Sequence, residues 1–574
     1  KEYFIEKIAY TWFNRFTALR FMDLNNHTFI KIVSPPEGFT LPEILSEAKS
    51  GHIDDRLKVD KERLNKILDG ILHSSNPQGE VYKTLFIAAC NYYNSLLPFM
   101  FEKIEDYTEL LLPDDLLSEN SVLMNVVKNL TKEDCEDVEI IGWLYQFYIS
   151  EKKDEVINAK KRYKTEEIPA ATQLFTPHWI VKYIVENTLG RMWLEAKPDS
   201  GLKEYMEFYI EPTDKDKIPP RTINSPEEIK FLDPASCSAH ILLYAFELFT
   251  KIYEEEGYDK PDIPKHIIEK NLYGLEIDER AAALGSFALT MKAASYHNRY
   301  LRAPLIPKIY VFENSDEVEQ FKNAKDLGTL IRISKAEYEN IKVEEGSIFY
   351  EKQKRIKEIA NILTQKYDCV VTNPPYVNST YYNSTLNDYI SNNYKKHRTD
   401  LFECFLVRCH ELSQQNGMIG YVSPFVWMFI ISFENLRNLI IEEMTIETLV
   451  RPSYTAFFDS AIVPLSTYVL RNEKILDYRS AYFDLDYLGN ADEQIPRLLD
   501  GINNPNSKRK FIQLSDNFEK IPGSPIAYWV SKSVIKIYES TSSLNNYSDV
   551  KQGLATADND RFRRDWTEVS FNKS

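Results

Sequence analysis

The feature that most constrains this chain is a short strand that ends in a proline-locked turn. Residues 367–372 are apolar and rich in β-branched side chains, and Asn373-Pro374-Pro375-Tyr376 follows them directly. A residue before proline is kept out of helical backbone angles, and each proline fixes its own φ, so the turn is rigid. The Asn373 amide oxygen and the Pro374 carbonyl should therefore lie side by side, with the Tyr376 ring next to them. Two acceptors and an aromatic face suit a planar amino group.

Size and composition restrict the class of protein. A chain of 574 residues is too long for one core, so we expect roughly two to four domains. It contains no uninterrupted apolar run of about 18 residues, and Lys1 does not begin a signal peptide, so we expect no membrane span and no secretion. The six cysteines form no Cys-x-x-Cys pair. This favours a reduced, cytoplasmic protein without a structural metal.

The charge of the chain limits how it could bind nucleic acid. The formal net charge is −17, so contacts with phosphates would have to come from local basic patches. The candidate DNA-binding residues are Lys395, Lys396 and Arg398, with further basic runs at 508–510 and 561–564. A short basic run is more often only a solvated surface, and this alternative stays open.

Periodicity divides the chain into four predicted regions. Residues 1–165 have the apolar spacing of helices and no catalytic pattern. Residues 166–475 alternate strands with helices, as in a doubly wound, Rossmann-like α/β sheet. Residues 476–545 read as a linker or helical connector, and 546–574 read as the start of a further unit, so we expect a longer protein. The predicted strands are Ile229–Pro234, Leu272–Ile277, Lys308–Phe312, Asp368–Thr372, Met418–Val422, Thr448–Arg451 and Ser466–Leu470.

Two segments are predicted to reach the same edge of this sheet. Asp233-Pro234-Ala235 ends the first strand, and small residues that include Ser238 lead from there into a helix. The loop after the first strand of a doubly wound sheet lies at the carboxyl edge, where ligands bind. Glu276-Ile277-Asp278 ends the next strand and places an acid at its tip. That is the geometry for holding ribose hydroxyls.

A third segment precedes a predicted helix at 180–189. Thr176 suits the N-cap and Pro177 the first helical position, and a helix N-terminus attracts a carboxylate. Each of the three segments alone is more often structural. Together, and followed by the Asn-Pro-Pro-Tyr strand, they favour S-adenosylmethionine as the ligand. The predicted cofactor-binding residues are Phe175, Thr176, Pro177, Asp233, Pro234, Ala235, Ser238, Glu276, Ile277 and Asp278.

This order of motifs resembles that of the gamma-class adenine-N6 DNA methyltransferases. More narrowly, the chain resembles the adenine methyltransferases of BREX phage-defence systems, the PglX type. Members of that family are longer and carry a downstream target-recognition domain, which the resemblance assigns to 546 onward. The segments that carry the resemblance are residues 9–15, 19–22, 174–181, 272–280 and 551–556.

The resemblance implies a reaction and its site. A methyl group would pass from S-adenosylmethionine to N6 of an adenine flipped out of double-stranded DNA. Asn373, Pro374, Pro375 and Tyr376 would be catalytic, and Tyr376 and Phe457 would stack on the target base, with Phe458 as a competitor. Other phage-defence proteins of the same system would be partners.

One departure from the family pattern keeps alternatives open. The family's cofactor loop typically reads Asp-Pro-Ala-Cys-Gly-Ser-Gly-His, whereas here the two glycines are Cys237 and Ala239. Replacing a glycine of positive φ costs on the order of 1 kcal/mol, so we expect weakened cofactor binding. A catalytically silent DNA-binding subunit is therefore one alternative. A glutamine-N5 protein methyltransferase and a combined restriction–methylation enzyme are others, disfavoured by the long helical N-terminal region and by the missing nuclease motif.

Overall fold

The structure is a computed structural model that describes residues 2–101, 112–172, 176–454, 464–486, 489–549 and 551. All seven predicted strands are present, and two more follow them. The strands are β1 Phe231–Asp233, β2 Leu272–Glu276, β3 Ile309–Val311, β4 Tyr367–Thr372, β5 Ser413–Pro424, β6 Thr445–Arg451, β7 Leu465–Arg471, β8 Arg479–Asp484 and β9 Lys510–Leu514.

These strands form a single nine-stranded sheet in the order β3-β2-β1-β4-β5-β7-β6-β8-β9. The first five strands in this order are parallel, β7 runs antiparallel between β5 and β6, and β9 is antiparallel to β8. The strand order reverses between β1 and β4. In an open α/β sheet that switch point opens a crevice at the carboxyl ends of the strands, where ligands bind. The predicted doubly wound α/β fold is confirmed.

Helices cover both faces of the sheet, which explains why its central strands are buried along most of their length. The α-helices are α1 Glu2–Leu24, α2 Glu43–Lys49, α3 Lys61–Leu68, α4 Pro77–Asn94, α5 Val122–Asn129, α6 Glu139–Asn158, α7 Ile168–Thr172, α8 His178–Val185, α9 Arg191–Ala196, α10 His240–Glu255, α11 Ile263–His266, α12 Glu279–Tyr296, α13 Ala324–Leu327, α14 Lys335–Glu339, α15 Tyr350–Thr364, α16 Ser384–Asn393, α17 Leu401–Leu412, α18 Glu434–Glu443, α19 Gln494–Asn503 and α20 Lys532–Ser540.

The N-terminal helices share their core with the sheet. Buried side chains of α1, α4 and α6 pack in one continuous cluster with those of α10, α12 and one face of the strands. The other face packs against α15, α17 and α18. Residues 1–165 contain helices and no strand wherever the structure describes them, but they do not bury a core of their own. Among the described residues, no helix is long and apolar enough to span a membrane.

The sheet extends beyond residue 475, which corrects the predicted connector at 476–545. Strand β8 pairs in parallel with β6, and β9 pairs with β8, while α19 connects the two. The only apolar residues of β8 are Ala481, Tyr482 and Phe483, and they are buried together with Ser480. So short an apolar run has little periodicity of its own, and the pairing with β6 decides its structure.

Candidate active site

Three of the predicted site residues lie at the carboxyl ends of neighbouring strands. Asp233 ends β1, Glu276 ends β2 and Asn373 follows β4, and β1 lies between the other two strands in the sheet. The Thr372 hydroxyl donates to Asp233 Oδ1 at 2.8 Å, which ties the ends of β4 and β1 together. The crevice expected at the switch point is therefore built from these strand ends.

Two pockets open at this edge, one on each side of the loop that follows β1. The first has a volume of about 480 Å³ and the second about 580 Å³, and both are bordered by Ala235, Cys237 and Asn373. Of the predicted cofactor residues, Thr176, Asp233, Ala235 and Ser238 border the first pocket, and Pro234, Ala235, Glu276 and Ile277 border the second.

Both acids of the crevice are buried, and this controls their protonation. Burial raises the pKa of Asp233 to about 7, although its carboxylate accepts hydrogen bonds from the Ala235 N–H and from Thr372. Burial likewise raises the pKa of Glu276 to about 7. Glu276 accepts hydrogen bonds from three backbone N–H groups, those of Cys237 at 2.7 Å, Ile277 at 2.8 Å and Asp278 at 2.9 Å. Each carboxyl group therefore changes charge close to neutral pH.

The loop after β1 adopts the backbone of a glycine loop without containing glycine. Cys237 has φ +46° and Ala239 has φ +69°, both in the left-handed region that favours glycine. Glycines on the facing helices provide the space that this loop needs. A Cβ atom added at Gly285 would lie 2.9 Å from Ala239 Cβ, and one added at Gly142 would lie 2.8 Å from Ser238 Oγ.

The orientation of the Asn373 amide is fixed by two side chains. Its Nδ2 donates to Thr176 Oγ1 at 2.9 Å, and the Tyr376 hydroxyl donates to its Oδ1. The prediction that Thr176 is the N-cap of α8 is therefore wrong. Pro177 takes the N-cap position with an extended ψ of 139°, so the first helical residue is His178 and not Pro177. The Thr176 hydroxyl is therefore free of the helix end and accepts the hydrogen bond from Asn373. Pro177 borders neither pocket.

Tyr376 stands on a segment that pairs with the start of α17. Its ring is half-buried and packs edge-on against Phe402, with ring centroids 6.4 Å apart. Beyond it, Asn378 forms an antiparallel bridge with Asp400, whose carboxylate accepts the Val377 N–H at 3.1 Å.

The segment between these pairing residues contains helix α16. Leu386 and Ile390, four residues apart, are buried on one side of this helix, although most of the residues around them are polar. Lys395, Lys396 and Arg398 are exposed after it, and none forms an ion pair with a residue that the structure describes. The predicted Phe175 and Phe457, and the competitor Phe458, lie outside the described residues.

Asp278 faces the N-terminal helices rather than either pocket. It caps α12 by accepting the Arg280 N–H at 2.9 Å, and it accepts the Tyr145 hydroxyl at 2.6 Å. Its predicted role as a cofactor ligand stays a prediction.

The sequence did not indicate several residues that border the pockets. Phe312 lies directly after β3 and borders the second pocket. The rule that identified Glu276, a position at the carboxyl end of a strand, would also have identified Phe312. Gly142, Tyr145 and Gln146 on α6 border the first pocket, and no local pattern indicates them because they reach it only through the packing of α6.

Comparison with known proteins finds similar methyltransferases. The chain is 36% identical, over an alignment 643 residues long, to the protein named adenine-specific methyltransferase BrxX of Escherichia coli O9:H4 (strain HS). It is 32% identical over 634 residues to adenine-specific methyltransferase PglX of Lacticaseibacillus casei (strain Zhang). Over its whole length the chain is therefore similar to adenine-specific methyltransferases of the PglX type. The alignments cover 100% and 99% of the chain and 52% of each relative, so the chain spans about half the length of the curated relatives it matches.

Two further comparisons concern one segment of the chain and its fold. Residues 270–458, which include β2, β4 and the Asn-Pro-Pro-Tyr turn, match the family model described as Eco57I restriction-modification methylase. Among solved structures, a cryoEM structure of a DrdV–DNA complex aligns with 90% of this chain and 47% of its own chain, at 11% identity and a TM-score of 0.46. A TM-score of that size supports no conclusion about function.

Proposed function

We propose that this chain carries the methyltransferase part of a phage-defence enzyme of the BREX type. The enzyme transfers a methyl group from S-adenosylmethionine to N6 of adenine in double-stranded DNA, in the cytoplasm. The single observation that carries the proposal is the position of Asn373, which borders both pockets of the crevice and is held by side chains on either side of its amide. The names of the two PglX-type relatives support the choice of adenine.

The residues of the crevice fit S-adenosylmethionine. Glu276 would accept hydrogen bonds from the ribose hydroxyls, and Ile277 and Phe312 would flank the adenine of the cofactor in the second pocket. Asp233 and Thr176 border the first pocket, which would take the methionine half. When bound, this cofactor supplies an electrophilic methyl group on its sulfonium sulfur.

Asn373 and Pro374 would prepare the amino group of the target base. Accepting both of its hydrogens favours a pyramidal nitrogen with an available lone pair, whereas the lone pair of a planar N6 is delocalised into the ring. The Asn373 carbonyl oxygen has two lone pairs, so it can accept from the target while it accepts from Tyr376. The bond from Asn373 Nδ2 to Thr176 keeps that oxygen turned towards Tyr376. Most of the rate would come from this positioning and from electrostatics.

The target base must leave the duplex to reach this turn. The Tyr376 ring would stack on the flipped base, worth about 1–3 kcal/mol. Lys395, Lys396 and Arg398, which are exposed after α16, would contact phosphates of the displaced strand. Because the chain as a whole carries a net charge of −17, such contacts would be local, and DNA binding would weaken steeply with salt.

The test is methylation of genomic DNA by the 574-residue chain with S-adenosylmethionine, read out as N6-methyladenine by mass spectrometry. The proposal expects N6-methyladenine to accumulate with time, together with saturable cofactor binding in calorimetry. A chain that binds the cofactor but methylates glutamine in a protein substrate, and not DNA, would contradict the proposed substrate. A chain that binds no S-adenosylmethionine would contradict the proposed activity and support the silent DNA-binding subunit.

A further inference from the structure

Helix α6 of the N-terminal region lies against the cofactor loop along one of its faces. Glu139, Gly142 and Gln146 stand at positions i, i+3 and i+7 and therefore share that face. Its approach is so close that a Cβ atom at Gly142 would lie 2.8 Å from Ser238 Oγ and 2.9 Å from His240 Nε2. Gly142 and Gln146 both border the first pocket, so this face forms one wall of it.

Ionic and polar contacts hold the helix in this position. Glu139 Oε1 lies 3.2 Å from His178 Nδ1 and 3.7 Å from His240 Nδ1, which connects α6 to the first residues of α8 and α10. Nearly two turns further along, the Tyr145 hydroxyl donates to Asp278 Oδ2 at 2.6 Å. The wall is thus attached to all three segments that the sequence predicted as cofactor-binding.

Gln146 carries an unsatisfied acceptor at this wall. Its Oε1 is buried from solvent and has no hydrogen-bond partner among the residues that the structure describes. A buried acceptor without a donor is unfavourable, so a hydrogen bond from a donor on a ligand would stabilise the complex. The same pocket is bordered by the Asp233 carboxyl group, a second acceptor. Two acceptors in one small pocket suit a cationic group that carries several N–H donors.

We propose that Gln146 is a cofactor-binding residue that accepts a hydrogen bond from the α-ammonium group of the methionine half of S-adenosylmethionine. The inference rests on the proposed function, because it assigns one chemical group of that cofactor to one pocket. An ammonium group has three donors and no acceptor, which matches what the pocket offers. The N-terminal helical region thereby becomes part of the cofactor site.

Isothermal titration with three ligands tests this assignment. S-adenosylmethionine carries the ammonium and carboxylate groups, its decarboxylated analogue carries only the ammonium, and 5′-methylthioadenosine carries neither. Gln146→Leu removes the acceptor at similar volume. It should weaken the first two ligands by about tenfold or more and change the third by less than about twofold. Gln146→Glu should bind the first two at least as tightly as the unchanged protein, because it places a carboxylate opposite the ammonium.

Gln78→Leu is the matched control, since Gln78 is an exposed glutamine in the first turn of α4 and should leave all three affinities unchanged. Equal weakening of all three ligands by Gln146→Leu would indicate a purely structural role and overturn the assignment. Unchanged binding of S-adenosylmethionine would also overturn it, and loss restricted to the ligand with a carboxylate would show that Gln146 binds that group instead. If the unchanged protein binds none of the ligands, the proposed function itself fails, and this inference fails with it.

Discussion

Two turns meet at the carboxyl edge of the sheet, and they are shaped in different ways. The Asn-Pro-Pro-Tyr turn after β4 gets its backbone from its own residues, because the prolines restrict both themselves and Asn373. The loop after β1 contains two residues in left-handed conformations that their own side chains disfavour. Its shape must therefore be imposed by its neighbours, which include Gly142 and Gly285.

This difference separates local from tertiary control of the site. At Asn373 the chain fixes the backbone locally, and a local hydrogen bond from Tyr376 together with a tertiary one to Thr176 orients the amide. At Cys237 and Ala239 the local preference opposes the observed backbone, so packing and the hydrogen bond from the Cys237 N–H to Glu276 must compensate. Substitutions in the first turn should change catalysis, whereas substitutions around the second should change stability and cofactor affinity.

The largest effect is expected from Asn373→Ala. Removing the amide oxygen takes away one of two proposed acceptors, and the methylation rate should fall by about 100-fold or more. The free energy of unfolding should fall by less than about 2 kcal/mol, because the loss of the hydrogen bonds to Thr176 and Tyr376 has a modest net cost. Single-turnover methylation and urea denaturation measure the two quantities. Asn361→Ala, at an exposed position on α15, is the control, and an active Asn373→Ala protein would refute the mechanism.

Gly285→Ala should destabilise the protein by about 1–2 kcal/mol, because the new Cβ would crowd Ala239 Cβ at 2.9 Å. An ordinary glycine-to-alanine change within a helix would instead stabilise it by up to about 1 kcal/mol. Adding Ala239→Gly removes the crowding atom, so the double variant should recover at least half of the loss in urea denaturation. If the effects of Gly285→Ala and Ala239→Gly on the free energy of unfolding simply add, with no recovery in the double variant, Gly285 does not accommodate the loop.

Glu276→Ala should weaken S-adenosylmethionine by about tenfold, or about 1.4 kcal/mol. Because burial raises the pKa of Glu276 to about 7, the carboxylate that accepts the ribose hydroxyls forms only above that pH. Cofactor affinity should therefore rise by about tenfold between roughly pH 6 and pH 8, and less in the variant. The free energy of unfolding should change with pH in the opposite sense. The stabilising contribution of protonated Glu276 is fully present below pH 4.5, the ordinary pKa of a glutamate, and it is lost as the pH rises through about 7, the pKa of Glu276 in the folded protein. Affinity that is independent of pH would contradict this role for Glu276.

The smallest effect is expected from Cys237→Gly. Relief of the positive φ should stabilise the folded protein by about 1 kcal/mol, and the greater freedom of glycine in the unfolded chain offsets part of this gain. The net change in the free energy of unfolding should be positive and below about 1 kcal/mol, and cofactor binding should tighten as strain is relieved. Cys237→Ala keeps the strained φ without the thiol and is the control. A loss of stability in Cys237→Gly would show that the thiol packs favourably enough to outweigh the strain.

The seven strands predicted from sequence are all present because each combines a run of apolar side chains with a clear end signal. The order of segments around Asp233, Glu276 and Asn373 likewise follows from the doubly wound pattern, because that fold brings the carboxyl ends of neighbouring strands to one edge. Strands β8 and β9 were missed because short, partly polar runs become strands only when a neighbouring strand pairs with them.

By itself the sequence determined the α/β fold, the rigid Asn-Pro-Pro-Tyr turn and the positions of the two strand-end acids, because each depends on local backbone preferences or on a short periodic pattern. Only the tertiary structure decided that Thr176 orients Asn373 and that Asp278 faces Tyr145. It also brought α6, with Gln146, to the wall of the first pocket. These contacts join residues that are far apart in the sequence, and the packing of separate helices and strands around one core sets their geometry.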